Sequence, residues 1–189
     1  MKWIGSRVSF VEDKIKTTIV VYPEDKVWVN ALMGAWISMW LVIGATVVWS
    51  YFNFKLNNQE KISVFVFMTF WFYYAVKVIR SFAWLMWGKE LIKINETSLI
   101  YKKSVKKYGK ASTYYLENIK KISMHYPKER SMQAVWEISP WVRGGERIEF
   151  EYQGKFIRFG RKLSEKDAKL LFNLVTKRID ERLRQSGLR

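Results

Sequence analysis

From Val27 to Phe54 the chain carries no charged residue. At 1.5 Å rise per residue, about 20 residues of helix cross a hydrocarbon core of ~30 Å, so this run alone is long enough to span a bilayer. A polar break follows from Lys55 to Lys61, and a second apolar run is charge-free from Ile62 to Val76. Val27 to Trp87 therefore reads as a transmembrane helical hairpin within segment 27–88, with spans 27–52 and 62–87 and a loop at 53–61. Trp28 and Trp49 are separated by about 31 Å of helix, which sets one indole at each interface, as aromatic belts prefer. Seven of the ten Trp lie between Trp28 and Trp87, so the aromatic excess belongs to the hairpin.

Two groups inside the hairpin point to contacts. Ala31, Gly34, Ala35, Ser38 and Ala45 fall near one helical face. Small residues there let another helix approach closely, either the second span or a helix of another protein. Lys77 and Arg80 sit one turn apart near the end of the second span. Long cationic side chains at that depth snorkel to headgroups; they either anchor the helix, bind an anionic lipid head or pair with an acidic residue of a partner span.

The formal charge of +16 is unevenly placed. The segments flanking the hairpin hold most Lys and Arg, whereas the loop between the spans holds only Lys55 and Lys61. The positive-inside rule puts both termini in the cytoplasm, with the chain crossing the membrane twice. Segment 1–26 contains a strand pair, Val8–Val11 and Ile15–Tyr22, expected to pack on or join a sheet of the soluble domain.

Segment 89–189 reads as strands followed by a helix. Strands are expected at 91–95, 98–105, 112–115 and 120–126, with a short one at Val135–Ile138. Arg147–Tyr152 and Lys155–Arg161 alternate around Gln153-Gly154, the strongest hairpin signal in the chain. The helix at 164–184 is N-capped by Ser164, with Asp167 completing a relaxed capping box. Its apolar stripe is Ala168, Leu171, Phe172, Val175 and Ile179.

This order resembles pleckstrin-homology (PH)-like domains, in which antiparallel strands are closed by one C-terminal helix. The stretches that carry the likeness are Trp87-Gly-Lys-Glu-Leu-Ile-Lys-Ile, Tyr115-Leu-Glu-Asn-Ile and Ile148 to Gly160, followed by the helix. With the hairpin in front, the chain is similar to bacterial membrane proteins bearing a PH-like domain, and its architecture is similar to that of the photosystem I assembly protein family. The resemblance implies a membrane α+β fold: a two-helix transmembrane hairpin, then a PH-like antiparallel β-sheet or barrel closed by the amphipathic helix. It implies location in the bacterial cytoplasmic (inner) membrane.

Candidate chemistry is sparse. There is no cysteine, which excludes disulfides and thiolate chemistry, and His125 is the only histidine. His125 reads as structural, and Glu149 and Glu151 as surface ion pairs with Arg147 and Arg158. Lys102, Lys103, Lys106, Lys107 and Lys110 form a basic cluster around Tyr101, Tyr108 and Gly109, extended by Lys120, Lys121 and Lys128 if the strands pair in order. The cluster is either a solvated strand face whose charge enforces topology or a surface for lipid or an acidic partner, in which each Lys near a membrane adds about 1 kcal/mol of attraction to anionic lipid. The expected partners are membrane lipids and a membrane protein or complex, not nucleic acid. The expected role is a non-enzymatic adaptor or assembly factor without cofactor, or alternatively an anionic-lipid sensor.

Overall fold

The computed structural model describes residues 1–189 except 14, 25, 128–130, 142, 143, 186, 188 and 189, and the side chain of 138. The chain forms two compact units. One comprises the helices; the other combines the N-terminal arm with most of the C-terminal part.

In the helical unit, α1 (Val27–Asn53) and α2 (Asn58–Trp87) are long apolar helices. The break between them is shorter than the sequence suggested, because α2 starts at Asn58 rather than Ile62. The cause is a capping box. Asn57 Oδ1 accepts the Glu60 N–H at 2.9 Å, and the Glu60 carboxylate accepts the Asn57 N–H at 2.7 Å. Two of the orphan donors at the helix start are satisfied this way, so the polar residues 58–61 wind into the first turn.

The helices meet through bulky side chains. Val29, Met33, Trp36 and Ile37 pack with Val78, Phe82 and Leu85. Further along, the Trp40 and Trp71 rings lie parallel, 6.4 Å apart. Each indole N–H donates to the other residue's backbone carbonyl, at 3.4 Å from Trp40 and 3.1 Å from Trp71. Gly44 makes room for this pair: a Cβ there would lie 2.2 Å from the Trp71 ring. Trp141 belongs to the same unit and packs edge-on against Trp36, with ring centroids 5.0 Å apart.

The second unit holds two antiparallel sheets and a helix. The six-stranded sheet runs in order β1 (Lys2–Ile4), β2 (Val8–Glu12), β3 (Thr17–Val21), β4 (Gly88–Ile94), β5 (Ser98–Val105) and β6 (Ala111–Tyr115). The N-terminal arm is thus half of this sheet, with Val21 opposite Glu90 and Thr17 opposite Ile94. A 3-10 turn at Leu116–Asn118 leads to the three-stranded sheet β7 (Ile119–Met124), β8 (Glu146–Tyr152) and β9 (Lys155–Arg161). Among the described residues the strands fall into two sheets and do not form a closed barrel.

Alternating inward residues build one core from both sheets: Ile19, Ile92, Ile94 and Leu99 from the first, Ile148, Phe150 and Phe159 from the second. Tyr114 packs edge-on against both Phe150 and Tyr152, joining the sheets. The last helix, α4 (Glu165–Gln185), lays Ala168, Leu171, Val175 and Ile179 into the same core, which is the stripe its spacing predicts. Ser164 caps it by accepting the Asp167 N–H at 3.1 Å.

Residues 132–138 depart from expectation. They form a helix, α3 (Met132–Ile138), not a strand. Ser131 supplies the reason, since its hydroxyl accepts the Ala134 N–H at 3.1 Å as an N-cap.

Candidate functional site

The strand register gathers one end of the six-stranded sheet. Val21 closes β3, Gly88 opens β4 and Val105 closes β5; Val21 lies opposite Glu90, and Gly88 opposite Val105. This is the end at which the chain leaves for α1 and returns from α2, since no residue separates Trp87 from Gly88. Aromatic rings and lysines pair there. The Lys89 ammonium lies over the Tyr22 ring at 5.2 Å, and Trp3 stacks on Tyr22 at 5.4 Å. The Lys106 ammonium lies over the Trp87 indole at 4.5 Å, while the Lys106 N–H donates to the Trp87 carbonyl at 3.0 Å. Tyr108 is 84% exposed beside them.

The basic cluster read from the sequence divides between surfaces. Lys106, Lys107 and Lys110 are exposed at this sheet end. Lys102 is half-buried and donates to the Lys107 carbonyl at 3.2 Å. Lys103 points to the opposite side of β5, as alternation requires, and pairs with Glu146 of β8 at 2.8 Å. Burial would raise the Glu146 pKa, but the hydrogen bond and charge of Lys103 outweigh it and hold that carboxyl below its ordinary value. Lys120 and Lys121 do not join the cluster, because the 3-10 turn carries β7 into the other sheet. Lys128 lies outside the described residues.

In the helices, Lys77 is exposed and sits over the Tyr73 ring at 4.5 Å; Arg80, one turn on, is also exposed. Of the small residues, Ala31, Ala35, Ser38 and Ala45 are exposed and Gly34 is half-buried. Gly34 faces α2, with Phe82 3.8 Å from where a Cβ would stand, beside the contact made by Val29, Met33, Trp36 and Gly44.

Glu90, Arg7 and Asp167 hold the sheet unit together, the first two without a role expected from the sequence. Glu90 is 1% exposed. Its carboxylate accepts the Gly160 N–H at 2.7 Å and the Arg161 N–H at 3.3 Å, joining β4 to β9. Burial pushes its pKa up. Arg7 donates to the carbonyls of Tyr22 (2.9 Å), Arg161 (3.2 Å) and Lys162. Burial lowers the pKa of this guanidinium. Asp167, 3% exposed, accepts from the Ser6 N–H at 3.2 Å and the Ser6 hydroxyl at 2.8 Å. It serves the arm and not the predicted capping box. Glu90 was visible in principle, because it lies in phase with the inward Ile92 and Ile94.

Ser6, Arg7, Asp167, Arg147, Glu137 and Lys162 line a polar cavity of about 250 Å³ at the start of α4. Burial, then the charge of Arg161, brings the Lys162 amine down to about 8. The cavity's charged groups have partners: Asp167 holds Ser6, Arg147 lies 3.5 Å from Glu137, and Lys162 donates to the Ser139 carbonyl. Arg147 therefore faces α3 and not Glu149 or Glu151. Glu149 meets Arg158 at 3.0 Å and lies 3.6 Å from His125 Nδ1. Among the described residues no group of three or more Asp, Glu or His is placed to hold a metal.

No protein-family profile, curated protein or solved structure matches the chain.

Proposed function

We propose that the protein is a non-enzymatic membrane-anchored module of PH-like plan. Its helical hairpin spans the bacterial inner membrane with both termini cytoplasmic, and its sheet unit serves as an adaptor or assembly factor for a larger membrane complex. The supporting observation is the surface of the helices. Phe65, Phe70 and Phe72 of α2 and Trp28, Val42 and Trp49 of α1 are all more than half exposed. A contiguous apolar surface on that scale needs a lipid or protein environment. Ala31, Ala35, Ser38 and Ala45 of α1 are exposed, and that side is where a partner helix would approach.

The test is crosslinking in native membranes followed by purification in mild detergent. A discrete membrane-protein partner is expected. Recovery of the chain alone under every mild condition would overturn the adaptor role.

A second reading, recognition of anionic lipid, is favoured by the pairs Lys89–Tyr22 and Lys106–Trp87 with Lys107 and Lys110 alongside. Because β1–β3 complete the sheet, the test uses the whole chain. Native mass spectrometry after reconstitution should show phosphatidylglycerol retained over phosphatidylcholine, with the preference lost in the Lys106→Glu, Lys107→Glu double variant. Equal retention of the two lipids by the unaltered chain would sink it.

A further inference from the structure

Phe70, Tyr73 and Lys77 share one face of α2; both rings are more than half exposed, and Lys77 is exposed. Lys77 is the first charge after the apolar run of α2, and its depth follows from the helices themselves. The reciprocal Trp40–Trp71 bonds set residues 40 and 71 level. In an antiparallel pair matched there, Lys77 is level with Gly34 and Tyr73 with Ser38. Gly34 is six positions past Trp28, whose indole marks the interface in the spanning arrangement, so Lys77 sits about 9 Å inside that boundary. Tyr73 sits about 15 Å inside it, close to midway between Trp28 and Trp49.

The direction of the side chain matters as much as its depth. A lysine here would reach headgroups by extending toward the C-terminal end of α2. The Lys77 ammonium instead lies over the Tyr73 ring at 4.5 Å, one turn back toward the N-terminal end. Helical side chains lean toward the helix N-terminus, so the backbone favours this direction. In α2 that lean carries the charge toward the middle of the bilayer. The ring face attracts the cation but leaves its charge uncancelled. The helices supply no nearby acid: Glu60 is the one Asp or Glu between Val27 and Trp87, about 26 Å from Lys77 along α2. Lipid phosphates lie at the boundary from which the side chain has turned. Cations held within a membrane pair with an opposite charge or line a polar cavity, and this one is on an exposed apolar face.

We infer that Lys77 is the docking charge for a partner membrane helix that carries an Asp or Glu at the depth of Lys77 to Tyr73 and packs on the α2 face of Phe70, Tyr73 and Lys77. The inference rests on the spanning and adaptor roles proposed above and names the chemistry of the partner. It is a contact on α2, in addition to the small residues of α1.

The chain has no cysteine, so Lys55→Cys in the exposed loop carries a single donor fluorophore. The full-length protein is reconstituted in phosphatidylcholine vesicles with acceptor-labelled polyleucine transmembrane peptides. These are identical but for one residue, Asp, Leu or Lys, placed at the depth of Lys77 to Tyr73. Energy transfer should favour the Asp peptide over the Leu peptide about tenfold, the scale of polar contacts between helices in bilayers. Lys77→Leu should abolish that preference, Lys77→Arg should keep it, and Lys77→Asp should transfer it to the Lys peptide. Because Lys77 is exposed, these changes leave the Trp40–Trp71 pair in place, which near-ultraviolet dichroism checks. Equal transfer to the Asp and Leu peptides, or a preference that survives Lys77→Leu, overturns the inference.

Crosslinking in native membranes separates this contact from the adaptor role. A partner with Asp or Glu inside a span, captured by the unaltered chain and by Lys77→Arg but not by Lys77→Leu, supports it. Capture that Lys77→Leu leaves unchanged keeps the adaptor role and overturns the contact, whereas no partner at all overturns both. If a membrane-impermeant maleimide reaches Lys55→Cys and Lys107→Cys from the same side of sealed inside-out membrane vesicles, the spanning role fails and takes this inference with it.

Discussion

The Glu90 carboxylate accepts the Gly160 N–H at 2.7 Å, so one side chain of β4 ties the six-stranded sheet to the outermost strand of the other. It stands where alternation calls for an isoleucine. Glu90→Ala leaves the Gly160 and Arg161 amides buried without an acceptor, which costs about 1–3 kcal/mol each. Thermal unfolding of the full chain in micelles should fall accordingly, and amide exchange at Gly160 should accelerate.

The same residue sets a pH dependence. Its folded pKa is raised above 4.5 by burial, so its contribution is fully present below the unfolded value and is lost as pH rises through the folded one. Unfolding midpoints should therefore decline as pH rises from 4.5. Glu90→Gln should flatten that decline, with the largest deficit relative to the unaltered chain at the acidic end. A parallel pair of curves would contradict the assignment.

Arg7 satisfies three carbonyls from two distant places in the chain, those of Tyr22 and of the neighbours Arg161 and Lys162. Hydrogen bonds to charged groups are worth about 1.5–3 kcal/mol, and a lysine cannot reproduce the planar fork. Both Arg7→Ala and Arg7→Lys should expose the N-terminal arm to limited proteolysis near residues 13–16, while the helices stay protected.

Gly44 and Gly34 make a controlled comparison. A methyl at Gly44 meets the Trp71 ring at 2.2 Å, and that ring is held by its bond to the Trp40 carbonyl. Overpacking of this kind costs about 1–3 kcal/mol. At Gly34 the nearest atom is 3.8 Å away, an ordinary contact. Gly44→Ala should change the near-ultraviolet Trp dichroism and lower the unfolding temperature in micelles; Gly34→Ala should do neither.

The capping box at α2 gives a local test. Asn57→Ala should cost about 1 kcal/mol and appear as faster exchange confined to the first turn, residues 58–61. Spread of the effect into Ile62 and beyond would mean that the cap holds more than its own turn.

The hairpin and most strands were legible because their signals are local: an uncharged run, period-two alternation, Gln-Gly at a turn. Even the helix-closing stripe of α4 follows from spacing alone. What escaped depended on distant partners. Val135 and Ile138 suggested a strand, whereas Ser131 capping Ala134 makes a helix whose polar side is held by Arg147. Lys120 and Lys121 seemed contiguous with the basic turn until Leu116, 1% exposed, plugged the core and sent β7 elsewhere. Asp167 looked like half of a capping box, yet its acceptors serve Ser6, far away in sequence.

β3 and β4 are adjacent antiparallel strands, and the two helices fill the connection between them. During synthesis the N-terminal strands emerge first, with the open edge of β3 unpaired. That edge, a template for wrong pairings, stays open until both helices have been made and the chain returns at Gly88. Completion of the sheet is therefore timed by completion of the two helices: a chain stalled within them leaves an unfinished sheet, exposed to proteolysis.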